Sequence, residues 1–150
     1  MSEHIQKAHN KTLLLYHLVF PVKYRRKAIT KEVEKTLREA CEEIGKRYEM
    51  HFVEIGADED HVHFLVQSVP AMSITEIVTT IKSITAREIF ERNPVVKNML
   101  WGGNFWTGGY YANTVGQYGN EKVIQKYVQE QGMKYTQISR NQLCLFEGIA

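Results

Sequence analysis

Cysteine is nearly absent from this chain, with 2 in 150 residues. Cys41 and Cys144 are too few for a disulfide framework, and neither sits in a CxxC that would suggest zinc or dithiol chemistry. Both read as reduced and structural. Long apolar runs are missing as well: nothing approaches the roughly 18 uninterrupted apolar residues of a membrane span. The leading MSEHIQKAHNK carries no apolar signal region. The expectation is a soluble, cytoplasmic protein with no membrane partner. Excess charge of either sign is small, since 19 Lys and Arg face 17 Asp and Glu for a net +2. That balance is too mild to establish a nucleic-acid partner, so any basic footprint must be local. Repeats, low-complexity tracts and long linkers are also lacking. With 43% hydrophobic residues, the length suits one ordinary core better than two, and residues 1–150 are read as a single domain.

What is present is a regular alternation of elements. Residues 12–22 (TLLLYHLVFPV) are rich in β-branched, leucine and aromatic side chains and predict a buried strand, closed by Pro21 and the charged run Lys23 to Lys27. Thr30 is placed to cap a helix whose Val33, Leu37, Ala40, Cys41 and Ile44 share a face, with Gly45 near its end. Residues 50–57 and 61–68 predict two strands of a hairpin around the acidic turn Asp58, Glu59, Asp60. Ser73 and Glu76 form a capping box ahead of Ile77, Ile81, Ile84 and Ile89, in a helix that stops before Pro94. A glycine-rich aromatic stretch follows, read as an interrupted strand reaching about Val115. Asn120 to Lys134 predict a last helix ending at Gly132. The order β-α-β-β-α-β-α predicts an α+β fold, the ferredoxin-like split βαβ (RRM-like) antiparallel sheet covered by helices.

His61 and His63 flank Val62 inside a predicted strand. Alternation sends both imidazoles to one face and Val62 to the core. Neutral imidazoles bind transition metals, so the pair can supply two corners of a coordination sphere. The pattern alone is common by chance and more often describes an exposed sheet-face pair. The last predicted helix adds Tyr127 and Gln131, four residues apart on one face. A phenol is a poor nucleophile near its ordinary pKa of about 10, and attack on a phosphodiester needs a metal to neutralise the phosphate. Read without the histidines, Tyr127 is a half-buried helix tyrosine and Gln131 a solvated residue. Glu130, a stronger ligand type than Gln131, points about 100° away on the helix.

Residues 60–66 (DHVHFLV), the upstream Lys23-Tyr24-Arg25-Arg26-Lys27, residues 100–102 continuing to 114–116, and residues 127–131 (YVQEQ) occur in an order that resembles the single-tyrosine HUH transposases of the 200/605 insertion-sequence family. The resemblance spans about Lys11 to Gln131. It implies that His61, His63 and Gln131 hold a divalent metal, Mg²⁺ or Mn²⁺, and that Tyr127 is the catalytic nucleophile. It implies cleavage and rejoining of single-stranded DNA through a 5′-phosphotyrosine, hairpins at transposon ends as partners, and a homodimer in which the tyrosine helix of one subunit completes the other's metal site. No nucleotide cofactor is implied. The segment WGGNFWTGGYY looks longer than the family's usual version.

Lys23, Arg25, Arg26 and Lys27 at the strand exit are read as nucleic-acid contacts, because guanidinium and ammonium groups grip phosphates. The alternative is a solvated basic loop. Lys82 and Arg87 are weaker contacts of the same kind. Phe105, Trp101, Trp106, Tyr110 and Tyr111 could include a stacking platform for unpaired bases, most of them reading instead as core or dimer interface. His4, His9, His17 and His51 lack a companion at ligand spacing and read as structural. The competing functional reading is a domesticated or non-catalytic single-stranded nucleic-acid-binding module of the same fold.

Overall fold

Thr30 stands in extended backbone and its hydroxyl accepts a hydrogen bond from the Val33 amide, which starts helix α1 at Lys31–Arg47. The Ser73 hydroxyl accepts from the Glu76 amide and donates to the Glu76 carboxylate, so the predicted capping box opens helix α2, Ile74–Arg92. Apolar residues of both helices turn toward one side: Val33, Leu37, Ala40, Cys41 and Ile44 of the first are buried, as are Ile77, Ile81, Ile84 and Ile89 of the second. The computed structural model that shows this describes residues 3–101 and 103–116. Among these lie the strands β1 (Ile5–Gln6), β2 (Lys11–Thr12), β3 (Leu14–Pro21), β4 (His51–Ala57), β5 (His61–Ser68) and β6 (Tyr111–Val115), and a short helix α3 (Pro94–Met99).

The main sheet has four strands in the order β4-β5-β3-β6, every neighbouring pair antiparallel. In chain order this puts the first and third long strands at the centre, the split βαβ arrangement predicted from the sequence. Leu18, Phe20, Val62, Phe64 and Val66 pack with α1 and α2 in one core. Alternation leaves Leu15 and Leu65 on the other face, in a second cluster with Leu13, Val53 and Val115.

Two expectations are corrected and one is extended. The strand predicted over residues 12–22 divides, because Lys11 and Thr12 pair with Gln6 and Ile5 in a separate two-stranded hairpin. Helix α2 stops before Pro94 as expected, and Pro94 sits in the first turn of the further short helix α3, where a missing amide costs nothing. The aromatic stretch forms a strand only at Tyr111–Val115, preceded by one isolated bridge between Val22 and Trp106. The helix predicted at residues 120–134 lies outside the described residues.

Candidate metal centre

Residue Val19 of β3 stands opposite His63, and Pro21 opposite His61. The histidines therefore face away from α1 and α2, while Val62 enters the helix-covered core. Their rings stack, with centroids 5.7 Å apart and planes at 28°. They are not the exposed pair of the alternative reading: His61 is 4% and His63 3% exposed. Gly56 lies across from His63 on β4. A Cβ there would come within 3.3 Å of His63 Nε2, so glycine lets the ring lie against the neighbouring strand.

The acidic turn contributes a third donor. One ligand atom each from Asp58, His61 and His63 lies within 4.8 Å of the others. Asp58 Oδ2 is 3.2 Å from His61 Nε2, yet that buried nitrogen makes no hydrogen bond among the described residues. On the other side of the ring, His61 Nδ1 lies 2.8 Å from Asp60 Oδ1. An ionised carboxylate only accepts, so Nδ1 carries the proton in that contact, and Nε2 is the ring nitrogen turned toward Asp58. A ring nitrogen and a carboxylate oxygen that face each other can share one cation, and nitrogen with oxygen donors suits a divalent metal. Burial, reinforced by His61 and His17, pushes His63 down to about 4, so at neutral pH it is the uncharged imidazole that ligation requires.

Asp60 is held below the ordinary carboxylate range chiefly by its hydrogen bond to His61, with Arg25 adding to the effect. Arg25 Nη2 donates to Asp60 Oδ2 at 3.2 Å. The predicted basic contacts thus separate. Arg26 is exposed and Lys23 half-buried; Lys27 is exposed with its ammonium 3.6 Å from Glu59 of the acidic turn, and Arg25 turns inward to Asp60 of the same turn. Lys82 also departs from expectation. Its ammonium donates to the carbonyls of Thr107 at 2.8 Å and Gly109 at 2.9 Å and lies over the rings of Phe20 and Tyr110. It fastens α2 to the loop before β6, and Arg87 is left exposed on the wet face. Of the proposed stacking residues, Phe105 and Trp106 are core, whereas Trp101 is 83% exposed.

Two residues at the site escaped the sequence reading. The sequence pattern marks Asp58 only as a turn residue, although its place three positions before His61 across a tight hairpin is a usable signal. His17 is buried with its ring centroid 6.0 Å from that of His63. Its signal, two residues from Val19 on a strand paired to the histidine strand, needs a register that the sequence does not print. Tyr127, Gln131 and Glu130 lie outside the described residues. No helix among the described residues is long and apolar enough to cross a membrane.

The family described as "Transposase IS200 like" matches residues 10–131. The chain is 34% identical over 118 residues to the ISDra2 transposase TnpA of Deinococcus radiodurans, covering 79% of this chain and 84% of that protein. It is 28% identical over 131 residues to the transposase for insertion sequence element IS200 of Salmonella typhimurium, covering 87% and 85%. A crystal structure from Deinococcus radiodurans R1, of a protein ascribed to the transposases, superposes with a TM-score of 0.69 at 29% identity, covering 85% of this chain and 97% of that one. The REP-associated tyrosine transposase bound to a REP hairpin shares the fold, at a TM-score of 0.54 and 10% identity over 87% and 74% of the chains.

Proposed function

The chain belongs to the IS200-like transposase family, and from that premise we propose that it cuts and rejoins single-stranded DNA at insertion-sequence ends, with Tyr127 as nucleophile and a divalent metal at His61 and His63. The observation that carries this reading is the buried pair of imidazoles with the Asp58 carboxylate beside them. Asp58, His61 and His63 would hold the ion, with Gln131 as a further ligand. When bound, Mg²⁺ or Mn²⁺ supplies Lewis-acid stabilisation of the charge that builds on the scissile phosphate.

The chain's own groups would then do the following. Tyr127 Oη bonds to phosphorus as the bond from phosphorus to the 3′-oxygen breaks. The phenolic proton is lost and the leaving oxygen departs as a 3′-hydroxyl. The resulting 5′-phosphotyrosine retains the energy of the diester, so a second 3′-hydroxyl can reverse the step on another end without a nucleotide cofactor. Lys23, Arg26 and Lys27 would hold the backbone of the DNA or of a terminal hairpin. A hairpin partner is supported by the REP-bound neighbour of the same fold. A homodimer, with Tyr127 offered to the partner's metal site, is part of the proposal.

The test is incubation with single-stranded DNA carrying the element's ends plus Mg²⁺, followed by denaturing electrophoresis. A covalent adduct is expected in the starting protein and none in Tyr127→Phe. Persistence of the adduct in that variant would remove Tyr127 from its role. DNA binding without any adduct would favour the non-catalytic module.

A further inference from the structure

The ring of His61 is gripped at Nδ1, opposite the nitrogen that faces Asp58, and the grip continues beyond the first partner. Asp60 Oδ1 accepts from His61 Nδ1 at 2.8 Å, and Asp60 Oδ2 accepts from Arg25 Nη2 at 3.2 Å. Both oxygens of one carboxylate are thus committed, one to the ring and one to the guanidinium, and both side chains are only 23% exposed. We propose that Asp60 and Arg25 are positioning residues: Asp60 fixes the tautomer and direction of the His61 ring, and Arg25 holds Asp60 in the orientation that does so. This rests on the metal reading of His61 given above. Carboxylates that accept from the second nitrogen of a ligating imidazole are known generally to set its tautomer and raise its basicity.

The backbone around Arg25 makes the case stronger than a simple surface ion pair. Tyr24 and Arg25 both have left-handed φ values, 58° and 52°, a region that non-glycine residues rarely occupy and that persists only where the surroundings over-determine it. The surroundings do so here. The Val22 amide donates to the Asp60 carbonyl at 2.8 Å and the Ile29 amide to the Glu59 carbonyl at 3.0 Å, so the loop is tied at both ends to the acidic turn. The Arg25 amide donates back to Val22 at 2.8 Å. This tight reversal turns Arg25 onto Asp60 while its neighbours Arg26 and Lys27 stay exposed. Basic residues of one run therefore divide their work, Arg25 inward on Asp60, Lys27 on Glu59 at the surface of the same turn, and Arg26 outward.

The test needs no DNA. In the full ¹⁵N-labelled chain without metal at pH 7.5, long-range imidazole correlations, with His61 identified by His61→Gln, should show His61 as the Nδ1–H tautomer. Asp60→Ala should shift it to Nε2–H, and Asp60→Asn, which keeps an acceptor oxygen, should preserve Nδ1–H. Mn²⁺ titration should weaken about 10- to 100-fold in Asp60→Ala and about tenfold in Arg25→Ala, with Asp60→Asn closer to the starting protein. His61 found with Nδ1 unprotonated in the starting protein would overturn the proposal, as would unchanged Mn²⁺ affinity in Asp60→Ala. If His61→Gln loses the ion while Asp60→Ala keeps it, only the positioning proposal falls. If His61→Gln binds Mn²⁺ as tightly as the starting protein, the metal reading falls and takes this one with it.

Discussion

A single missing carbon sets the place of His63. The Cβ that any residue but glycine would add at position 56 lies 3.3 Å from His63 Nε2 and 3.4 Å from its Cδ2, the first closer than most such carbons sit in packed interiors, so the ring would have to give by a few tenths of an ångström. His63 has little room for it, being 3% exposed and stacked on His61. Gly56→Ala is expected to leave the fold intact and to weaken Mn²⁺ affinity by about tenfold, the scale on which small misplacements of a reacting or ligating group act. Far-ultraviolet dichroism with a metal titration checks both halves. An unchanged affinity would show that the ring can yield without cost. Cys41 illustrates the opposite case, a residue whose chemistry the fold switches off. Burial pushes its thiol up to about 12, so Cys41 is expected to resist alkylation in the native chain at pH 8 and to react when the chain is unfolded.

At the scale of elements, what could be read in the sequence divides along a physical line. Elements announced by local signals are where they were expected: α1 after the Thr30 cap, α2 after the Ser73 capping box, and the hairpin of β4 and β5 around its acidic turn. Removing such a signal should have a local effect, and Thr30→Ala is expected to lower stability by about 1 kcal/mol, read from a urea midpoint that moves without a change of slope. Elements that depend on distant partners were not legible. Lys11 and Thr12 continue an apolar strand in sequence but pair with β1 instead. The strand character of Trp106 is spent on a single bridge to Val22, with its Nε1–H donating to Thr85 Oγ1 at 2.9 Å. The candidate site follows the same rule. His61 and His63 are legible because two residues of strand place both on one face. His17 and Arg25 were not, since their positions depend on strand register and on a left-handed turn.

For the whole molecule, the question is what joins the helical layer to the edge of the sheet that carries the last strand. Trp106 makes one link through Thr85, and Lys82 makes the other by donating to the carbonyls of Thr107 and Gly109. Burial pulls Lys82 from 10.5 down to about 8, while the two carbonyls and the faces of Phe20 and Tyr110 favour the charged form. The sign of the consequence follows from linkage. Below about pH 8 the ammonium is protonated in both folded and unfolded chains and gives no slope. Between about 8 and 10.5 the unfolded chain still holds the proton that the folded chain has released, and stability rises with pH wherever the unfolded state binds more protons. The contribution is thus gained as pH climbs through that window and lost as it falls back through the folded value. Tyrosines titrate in the upper part of the same range, so the quantity to measure is a difference: urea unfolding of the starting chain and of Lys82→Met at pH 7.0, 8.0, 9.0 and 9.5. The starting chain should gain stability relative to Lys82→Met above pH 8. Two curves that run parallel from pH 7 to 9.5 would mean that the carbonyls and rings keep the ammonium as basic as it is in water, and that Lys82 fastens α2 to the loop before β6 as a permanent cation.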